Sequence, residues 1–236
     1  MDPKMVDPET RIRELAEELE SLSYSISHDL RAPLRAITGF SRILLKDHAD
    51  RLDPEGRELL RMMHDGGTNL NSMIEALLAY SRAGRRAMAV SELNMEDLAD
   101  EQIALCRSKH PQRNIRFVRG RLAPAAGDRD LIRLALACLI DNAAKFTGIR
   151  EEAVIEIGSE TEKRPIRYHV RDNGAGFDPA GSHRLFRMFQ RLHPAGQFDG
   201  VGGGLAIARR TVQRHGGRIW AESKPDAGAT FYFILG

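Results

Sequence analysis

Two stripes of apolar residues at helical spacing run through the first third of the chain. In the first stripe each step is three or four residues, as in a heptad repeat. Its members are Ile12, Leu15, Leu19, Leu22, Ile26, Leu30, Leu34, Ile37, Phe40 and Leu44. A polar connection over residues 46–54 leads to a second stripe, which contains Leu59, Met62 or Met63, Leu70, Met73, Leu77 and Tyr80. The pattern predicts two long helices in an all-α antiparallel hairpin.

Local signals inside the hairpin predict its ends and its irregular points. Asp53 can cap the second helix, with Pro54 at the first helical position. Gly66 and Gly67 in that helix indicate a bend or a close contact, because each glycine costs about 1 kcal/mol relative to alanine. Pro33 removes a hydrogen bond of the first helix and predicts a kink there.

The stripes also predict an oligomeric state. Burying one such side chain contributes roughly 1.5 to 3 kcal/mol, so both stripes are expected to be covered. One hairpin cannot enclose two full stripes, whereas two copies form a four-helix bundle with a closed core. We therefore predict a homodimer. Packing of a single hairpin against the rest of the chain is the alternative.

The remainder of the chain alternates between strand and helix patterns. A linker over residues 83–89, which contains Gly84, Arg85 and Arg86, breaks the helical periodicity. Beyond it, strands are predicted at residues 90–93, 115–119, 122–126, 153–158, 166–172, 217–223 and 229–235, and helices at 95–108, 129–146 and 204–214. Helices on one face of a mixed sheet fit this order and give an α+β two-layer sandwich. The expected domains are a leader or cut end over residues 1–10, a helical domain over 11–89 and an α+β domain over 90–236.

Composition narrows the function classes. With 236 residues the chain can form two modest domains, each with its own core. A formal net charge of +2 with 29% charged residues disfavours nucleic acid and anionic membranes as partners. Cys106 and Cys138 have neither a CxxC nor a zinc spacing, which is typical of reduced thiols in a cytoplasmic protein. The most apolar stretch, residues 131–140, is too short for a membrane span and contains Arg133.

A histidine on the first predicted helix is the first candidate for chemistry. His28 is followed by Asp29 and lies between the stripe positions Ile26 and Leu30, so its ring is expected to point outward from the bundle. Imidazole titrates near pH ~6.5, so much of it is neutral and nucleophilic at physiological pH. Asp29 could accept its second proton or hold its tautomer. His28 and Asp29 are therefore the predicted catalytic pair.

Three later segments suit a nucleotide. Asn142 and Lys145 lie three residues apart on one predicted helix, which puts an amide oxygen and an ammonium on one face, suited to a magnesium ion and a phosphate. Asp172 ends a predicted strand, and the glycine-containing turn after it leaves the carboxylate at the strand edge. Glycines 202–204 precede the last helix, where backbone amides and a positive helix end can face phosphate oxygens.

In this order the segments around His28, Asn142, Asp172 and Gly202 resemble the H, N, G1 and G2 boxes of the sensor histidine kinases. The resemblance extends from about residue 20 to the end of the chain. It implies the Bergerat or GHKL ATP-binding fold, which these kinases share with gyrase and the Hsp90 chaperones. It also implies ATP and Mg²⁺ as cofactors, His28 as phosphoacceptor, and a response-regulator receiver domain as partner. Residues 185–193, 214–222 and 229–233 look most like kinases attached to phytochrome or PAS sensors.

The resemblance assigns roles to individual residues. It implies that Asp172 accepts the adenine amino group, while Gly174 and Gly176 let the backbone approach the nucleotide, and that Asn142 binds the metal. The remaining nucleotide-binding residues that it implies are Lys145, Phe146, Phe186, Phe189, Arg191, Gly202, Gly204 and Leu205. Residues 185–193 resemble the F box, followed by a glycine-rich lid. Phe186 and Phe189 are expected to hold the lid, and Arg187 or Arg191 to reach a phosphate.

The sequence departs from the family pattern at three positions. Cys138 stands where a second asparagine is usual, which leaves magnesium to Asn142 alone. The related ATPases carry a glutamate at that same earlier position to activate water, and its absence here disfavours ATP hydrolysis. Gly203 replaces a bulky apolar residue and predicts a looser loop. Ala32 stands where dual-function members present Thr or Asn to water, and it cannot hydrogen-bond through its side chain, which predicts weak phosphatase activity.

The expected function is autophosphorylation of His28 from ATP, followed by transfer to an aspartate of a response regulator. Two other classes stay open on the sequence. The chain could be a phosphotransfer or scaffold protein with a degenerate nucleotide site, or a nucleotide-hydrolysing switch. An upstream sensor domain outside this chain is also left open by the resemblance.

Overall fold

A computed structural model describes residues 8–85, 87–194 and 196–236, and within residues 8–24 it describes the side chains of residues 11 and 18. The chain divides into two compact units between Ser81 and Arg82. Residues 1–7 of the predicted leader lie outside the described residues, as do the side chains of four stripe positions: Ile12, Leu15, Leu19 and Leu22. Residues 8–10, also assigned to the leader, belong to the first helix.

The first unit contains the predicted helical hairpin. Helix α1 is Pro8–Asp47 and helix α2 is Pro54–Arg85, joined through a 3₁₀ turn at Ala49–Arg51. The Asp53 carboxylate accepts a hydrogen bond from the Gly56 amide at 2.7 Å, which confirms the predicted cap. Helix α1 continues through Pro33.

The two helices meet through few side chains. Leu34, Ile74 and Leu78 form a small buried apolar cluster between them. Gly67 confirms a predicted close contact, because a Cβ there would lie 2.5 Å from Cγ2 of Thr38. Most of the described stripe residues are exposed in the single chain; these are Ile26, Leu30, Ile37, Phe40, Leu44, Leu59, Met62, Met63, Leu70 and Leu77. The hairpin therefore leaves a long apolar surface in water.

The second unit begins inside helix α2. Ala83, Gly84 and Arg85 are helical, so the sequence was wrong to assign them to the linker. Ala83 is buried and its carbonyl accepts a hydrogen bond from Arg214 at 3.1 Å, which stabilises this last turn. Arg86, also assigned to the linker, lies outside the described residues.

The remaining elements of this unit match the predicted order. The strands are β1 (Val90–Leu93), β2 (Ile115–Arg119), β3 (Ala125–Asp128), β4 (Ala153–Glu160), β5 (Arg167–Asp172), β6 (Arg218–Ser223) and β7 (Ala229–Ile234). The helices are α3 (Met95–Lys109), α4 (Arg129–Phe146) and α5 (Gly204–Arg214), with 3₁₀ turns at Thr147–Ile149 and Pro179–Arg184. Strands β1 and β3 pair antiparallel. The main sheet has the order β2-β4-β5-β7-β6 and is antiparallel except for the parallel pair β2-β4.

The core lies between one face of the main sheet and the three helices. Alternate residues of β5 and β7, among them Val170, Phe231 and Phe233, share one buried cluster with apolar residues of α3, α4 and α5. Alternation along a strand sends every second side chain to this face, as expected for a two-layer sandwich. Helix α4 is the central element; its N-terminus is capped by the Asp128 side chain.

The strand predicted over residues 122–126 is displaced. The structure has β3 at Ala125–Asp128 instead. Residues 122 and 123 satisfy their backbone amides with side chains, because Leu122 donates to Glu96 and Ala123 donates to Ser159. Pro124 has no amide to donate to a sheet. These bonds replace ladder pairing at the predicted start of the strand.

Among the residues that the structure describes, no helix combines the length and the apolar character needed to cross a lipid bilayer.

Candidate functional site

The His28 side chain is displayed on helix α1. Its side-chain surface is 73% exposed in the single chain. Nδ1 of His28 lies 3.2 Å from Oδ1 of Asp29. In a neutral ring whose Nδ1–H donates to this carboxylate, the lone pair belongs to Nε2. In that tautomer, Nε2 is the ring nitrogen with a free lone pair.

The Asp172 carboxylate is the most deeply buried acidic group among the predicted site residues. It ends strand β5 and is 4% exposed. Oδ1 accepts a hydrogen bond from the Gly174 amide at 2.8 Å, while Oδ2 is buried without a hydrogen-bond partner of good geometry among the described residues. Burial raises the pKa of Asp172 to about 6, although the Gly174 and Ala229 amides act to lower it. An unpartnered buried acceptor is costly and fits a ligand that donates a hydrogen bond.

Gly174 and Gly176 are required by the packing of this loop. A Cβ on Gly174 would lie 2.5 Å from the carbonyl oxygen of Phe146, and one on Gly176 would collide with the carbonyl of Lys224. Gly176 also has a positive φ of 61°. The space that these glycines leave is filled by other backbone segments of the protein, so their first role is to let the loop pack closely.

The end of helix α4 carries an amide, on Asn142, and an ammonium, on Lys145. Nδ2 of Asn142 is buried with no hydrogen-bond partner among the described residues. The Lys145 Nζ lies 4.3 Å from the centroid of the Phe146 ring. Burial lowers the pKa of Lys145, as does nearby Arg191, while Asp199 acts to raise it. Phe146 accepts a hydrogen bond from the Ala175 amide at 3.1 Å, which joins this helix end to the loop after Asp172.

The donor set fits a magnesium ion that is held mainly by phosphate and water. The described residues contain no cluster of three or more His, Cys, Asp or Glu side chains that could hold a metal. Mg²⁺ characteristically binds through few protein ligands plus substrate phosphates. The Asn142 side chain can supply one such ligand through its amide oxygen Oδ1, whereas its buried Nδ2 is a donor that does not bind a metal. Burial raises the pKa of the Cys138 thiol to about 12, so this residue offers no thiolate.

The segment between β5 and α5 contains the predicted F box and lid. Phe186 is partly buried against the main core. Phe189 acts through its backbone, since its amide donates to Gly202 at 3.0 Å with a φ of 60°. The Arg191 guanidinium donates to the carbonyl of Phe198 at 2.7 Å. The first bond joins the F box to the glycines before helix α5, and the second joins the F box to the lid.

Two lid residues that the sequence did not single out hold the segment on helix α4. The Phe198 ring contacts the Phe146 ring with centroids 4.8 Å apart, and the His193 ring contacts it at 5.0 Å. Burial lowers the pKa of His193, and nearby Lys145 and Arg191 lower it further. The available sequence signal was a pair of ring side chains, His193 and Phe198, on either side of Gly196.

The start of helix α5 has backbone donors without a side-chain cap. Its N-cap is Gly203, which makes no side-chain hydrogen bond. Gly202 has a φ of 76°, and a Cβ there would lie 2.5 Å from the carbonyl of Gln190. Gly204 packs against Cys138, one turn before Asn142, and Leu205 packs against the core. Uncapped amides at a helix N-terminus suit an anion.

A cleft of about 460 Å³ opens beside the loop after Asp172. Its walls come from this loop, from the lid and from the turn between β6 and β7, and include Gly176, Arg184, Leu192, His193, Gln197 and Asp226. Of the predicted site residues that the structure describes, Gly176 alone lines it.

Comparison with known proteins finds one matching domain family for the helical hairpin and another for the α+β unit. Residues 18–86 match the model of the His Kinase A (phospho-acceptor) domain. Residues 127–236 match that of the histidine kinase-, DNA gyrase B- and HSP90-like ATPase. The chain belongs to the sensor histidine kinases.

Relatives of this histidine kinase include a phytochrome, as the sequence predicted. Cyanobacterial phytochrome A of Nostoc sp. is 35% identical over 219 residues, which cover 92% of this chain and 28% of the relative. The methanogenesis regulatory histidine kinase FilI of Methanothrix harundinacea is 33% identical over 220 residues, which cover 92% of this chain and 24% of the relative. The chain thus spans about a quarter of the length of these relatives.

A solved structure shares the fold of the kinase. The histidine kinase ThkA, determined in complex with the response regulator protein TrrA, is 26% identical with a TM-score of 0.63. The match covers 94% of this chain and 63% of that one.

One further residue of the kinase that sequence reasoning missed is Arg150. It follows the 3₁₀ turn after helix α4, and its guanidinium donates to three backbone carbonyls around the Asp172 loop. No motif marks it, because its partners lie more than 20 residues away along the chain.

Proposed function

We propose that this chain is the kinase portion of a sensor protein, in which the γ-phosphoryl group of ATP passes to His28 and then to an aspartate of a response-regulator receiver domain. The observation that carries the proposal is the buried Asp172 carboxylate, whose Oδ2 has no hydrogen-bond partner of good geometry among the described residues, in a chain that also displays an exposed His28–Asp29 pair. The first suits a base amino group, and the second suits a phosphoryl acceptor.

In this proposal the nucleotide is held at both ends by the second unit. Asp172 accepts a hydrogen bond from the adenine amino group. Lys145, Arg191 and the uncapped amides at the start of α5 offer positive charge and donors to the phosphates. Asn142 would hold Mg²⁺ together with phosphate oxygens and water, and the metal when bound neutralises charge on the phosphates.

The transfer step needs positioning more than covalent activation. The Nε2 lone pair of His28 forms a bond to the γ-phosphorus as the bond to the bridging oxygen breaks, and ADP leaves with that electron pair. Asp29 holds the Nδ1 proton and stabilises the positive charge that the ring gains. In the second transfer a receiver carboxylate attacks the phosphorus and His28 is regenerated.

The same proposal includes a homodimer. Ile37, Phe40, Met62 and the other exposed stripe residues would be covered by the hairpin of a second chain. Burial of this surface is favourable at roughly 25 cal/mol per Å², and four helices close a core that two leave open.

Two further parts of the proposal concern partner and compartment. ThkA was solved with a response regulator, which supports a receiver domain as the partner here. Cys106 and Cys138 are both free thiols, in accord with the cytoplasm, where ATP is available.

Incubation with γ-labelled ATP tests the proposal. Wild type is expected to acquire label that is acid-labile and alkali-stable, as a phosphoramidate is, and His28→Gln to acquire none. His48→Gln, in the same hairpin, is the matched control and should label normally. ATP hydrolysis without labelling would indicate a nucleotide-hydrolysing switch, and absence of ATP binding would indicate a scaffold; either result contradicts the proposal.

A second variant tests the nucleotide end of the site. Asn142→Ala should abolish labelling, because it removes the one protein ligand proposed for Mg²⁺. The helical circular dichroism signal should stay unchanged. Asn71→Ala, which removes a surface amide bonded to Glu75, should label normally. Normal labelling of Asn142→Ala would remove this residue from the metal-binding role.

A further inference from the structure

Arg150 joins three segments that are remote in sequence. It is the first residue after the 3₁₀ turn Thr147–Ile149 that ends the α4 region. Its Nε donates to the carbonyl of Asn173 at 2.8 Å, and its Nη2 donates to Gly174 at 3.1 Å and to Asp226 at 2.7 Å. The last of these residues lies in the turn between β6 and β7. We call these three bonds the Arg150 clamp.

The clamp acts on the peptide units next to Asp172. The amide of Gly174 donates to the Asp172 carboxylate at 2.8 Å, while the carbonyl of Gly174 is held by Arg150. Both polar groups of this glycine are therefore fixed, one by the carboxylate and one by the guanidinium. Glycine has the widest backbone freedom of any residue, so these bonds restrict a position that no side chain restrains.

The clamp also reaches a wall of the 460 Å³ cleft. Asp226 lines that cleft, has a positive φ of 60°, and donates its amide to Ala175 at 2.7 Å. Its carbonyl is the third acceptor of the clamp. A planar guanidinium can bond several acceptors in a fixed geometry, which a lysine ammonium cannot reproduce.

We propose that Arg150 is a positioning residue for base selectivity: it holds the Asp172 loop and the β6–β7 turn in the arrangement that accepts adenine, without touching the nucleotide. This rests on the proposed function, since it takes Asp172 as the acceptor of the adenine amino group. The described partners of the clamp lie around Asp172 and the β6–β7 turn, whereas Lys145 contacts the Phe146 ring and Gly204 packs against Cys138. The clamp therefore acts on the base end of the site.

The test measures nucleotide affinity and turnover in Arg150→Ala, Arg150→Lys and the control Arg116→Ala. Arg116 pairs with Glu152 on the surface of the same unit, so the control removes the same charge. Isothermal titration with ATP and GTP gives the selectivity. Autophosphorylation at varied ATP gives KM and kcat, and hydrogen exchange reports on residues 172–176.

Arg150→Ala is expected to weaken ATP binding about 10- to 100-fold, because the loop populates its competent arrangement less often. The ratio of ATP to GTP affinity should fall, exchange of the loop amides should rise, and KM should rise while kcat at saturating ATP stays within about twofold. Arg150→Lys should lie between wild type and alanine. Arg116→Ala should match wild type in ATP affinity, selectivity, amide exchange, KM and kcat.

Three results would overturn the inference. They are wild-type affinity and selectivity in Arg150→Ala, an equal loss for ATP and GTP, and a loss of kcat with KM unchanged. If circular dichroism shows Arg150→Ala to be unfolded, Arg150→Lys decides: unchanged KM and selectivity in that variant refute the clamp, and a raised KM with reduced selectivity supports it. Failure of wild type to bind ATP would instead refute the proposed function.

Discussion

The Asp172 carboxylate has one oxygen bonded to the Gly174 amide and one buried oxygen without a partner of good geometry among the described residues. Burial raises its pKa from 3.8 to about 6. The folded state therefore binds this proton more readily than the unfolded chain does, so ionised Asp172 lowers stability. That cost is complete above about pH 6 and disappears as the pH falls through 6 towards 3.8. Hydrogen bonding to a bound base can offset this free-energy cost of the ionised carboxylate.

Asp172→Asn is accordingly expected to have opposite effects on stability and binding. At pH 7 the variant without nucleotide should be more stable by on the order of 1 kcal/mol, measured by urea unfolding, and the gain should vanish near pH 4. ATP binding should be lost, because the new amide group donates where adenine also donates. Wild-type affinity should fall as the pH drops through 6. Glu162→Gln, at an exposed position, should change neither property; tight ATP binding by Asp172→Asn would disprove the acceptor role.

Ala32 lies one helical turn after His28 and offers only a methyl group. This side chain cannot hydrogen-bond a water molecule that would attack the phosphorylated regulator. We expect slow loss of phosphate from a phosphorylated cognate regulator in the presence of wild type, and faster loss with Ala32→Thr, followed over time by phosphate-affinity gels. Rapid dephosphorylation of the regulator that depends on the wild-type protein would contradict this prediction.

At the scale of elements, the α1–α2 hairpin depends on one close approach. A Cβ on Gly67 would lie 2.5 Å from Cγ2 of Thr38. Thr38 is β-branched, and its hydroxyl donates to the Leu34 carbonyl at 2.9 Å, so it cannot turn aside freely. Gly66, one position earlier, faces open space. In the single chain, packing against Thr38 therefore excludes a side chain at Gly67 but not at Gly66.

Gly67→Ala should destabilise the hairpin by about 1 to 3 kcal/mol, through overpacking against Thr38. Gly39→Ala is the control, since a Cβ there meets no atom within 4 Å and the position lies outside the apolar stripe; it should stabilise the hairpin by up to about 1 kcal/mol, through helix propensity. Thermal unfolding followed by circular dichroism, at one fixed chain concentration, measures both. Equal effects of the two substitutions would show that the contact with Thr38 carries no weight.

At the scale of the whole molecule, the apolar stripes set the assembly. Phe40 is 66% exposed and Met62 is 63% exposed in the single chain. Scattered exposed apolar residues are ordinary, but a continuous stripe on two adjacent helices indicates an interface. The homodimer proposed above would cover it.

Phe40→Glu should shift the protein from dimer to monomer at micromolar concentration, because a carboxylate would be buried in the four-helix core. Sedimentation equilibrium measures the mass. Val90→Glu is the control, since Val90 is also exposed, at 62%, but lies on β1 outside the hairpin. A dimeric Phe40→Glu would argue against this face as the interface.

Helices α4 and α5 were predicted more closely than strand β3, for a physical reason. Helices α4 and α5 have the predicted bounds, because Asp128 caps the first and the glycines before residue 205 start the second. These signals are local. Strand β3 was displaced because Leu122 and Ala123 bond to side chains of Glu96 and Ser159, which no local pattern reveals.

The sequence by itself determined the elements, the residue types of the site and their family. Spacing of apolar residues is dictated by helical and strand periods, and the four boxes are contiguous segments. The tertiary structure decided those properties of the site that depend on contacts between segments remote in sequence. It buried Asp172 and thereby raised its pKa, placed Phe198 and His193 on Phe146, and set Arg150 across three carbonyls. Desolvation and long-range hydrogen bonding arise only when segments far apart in the chain come together.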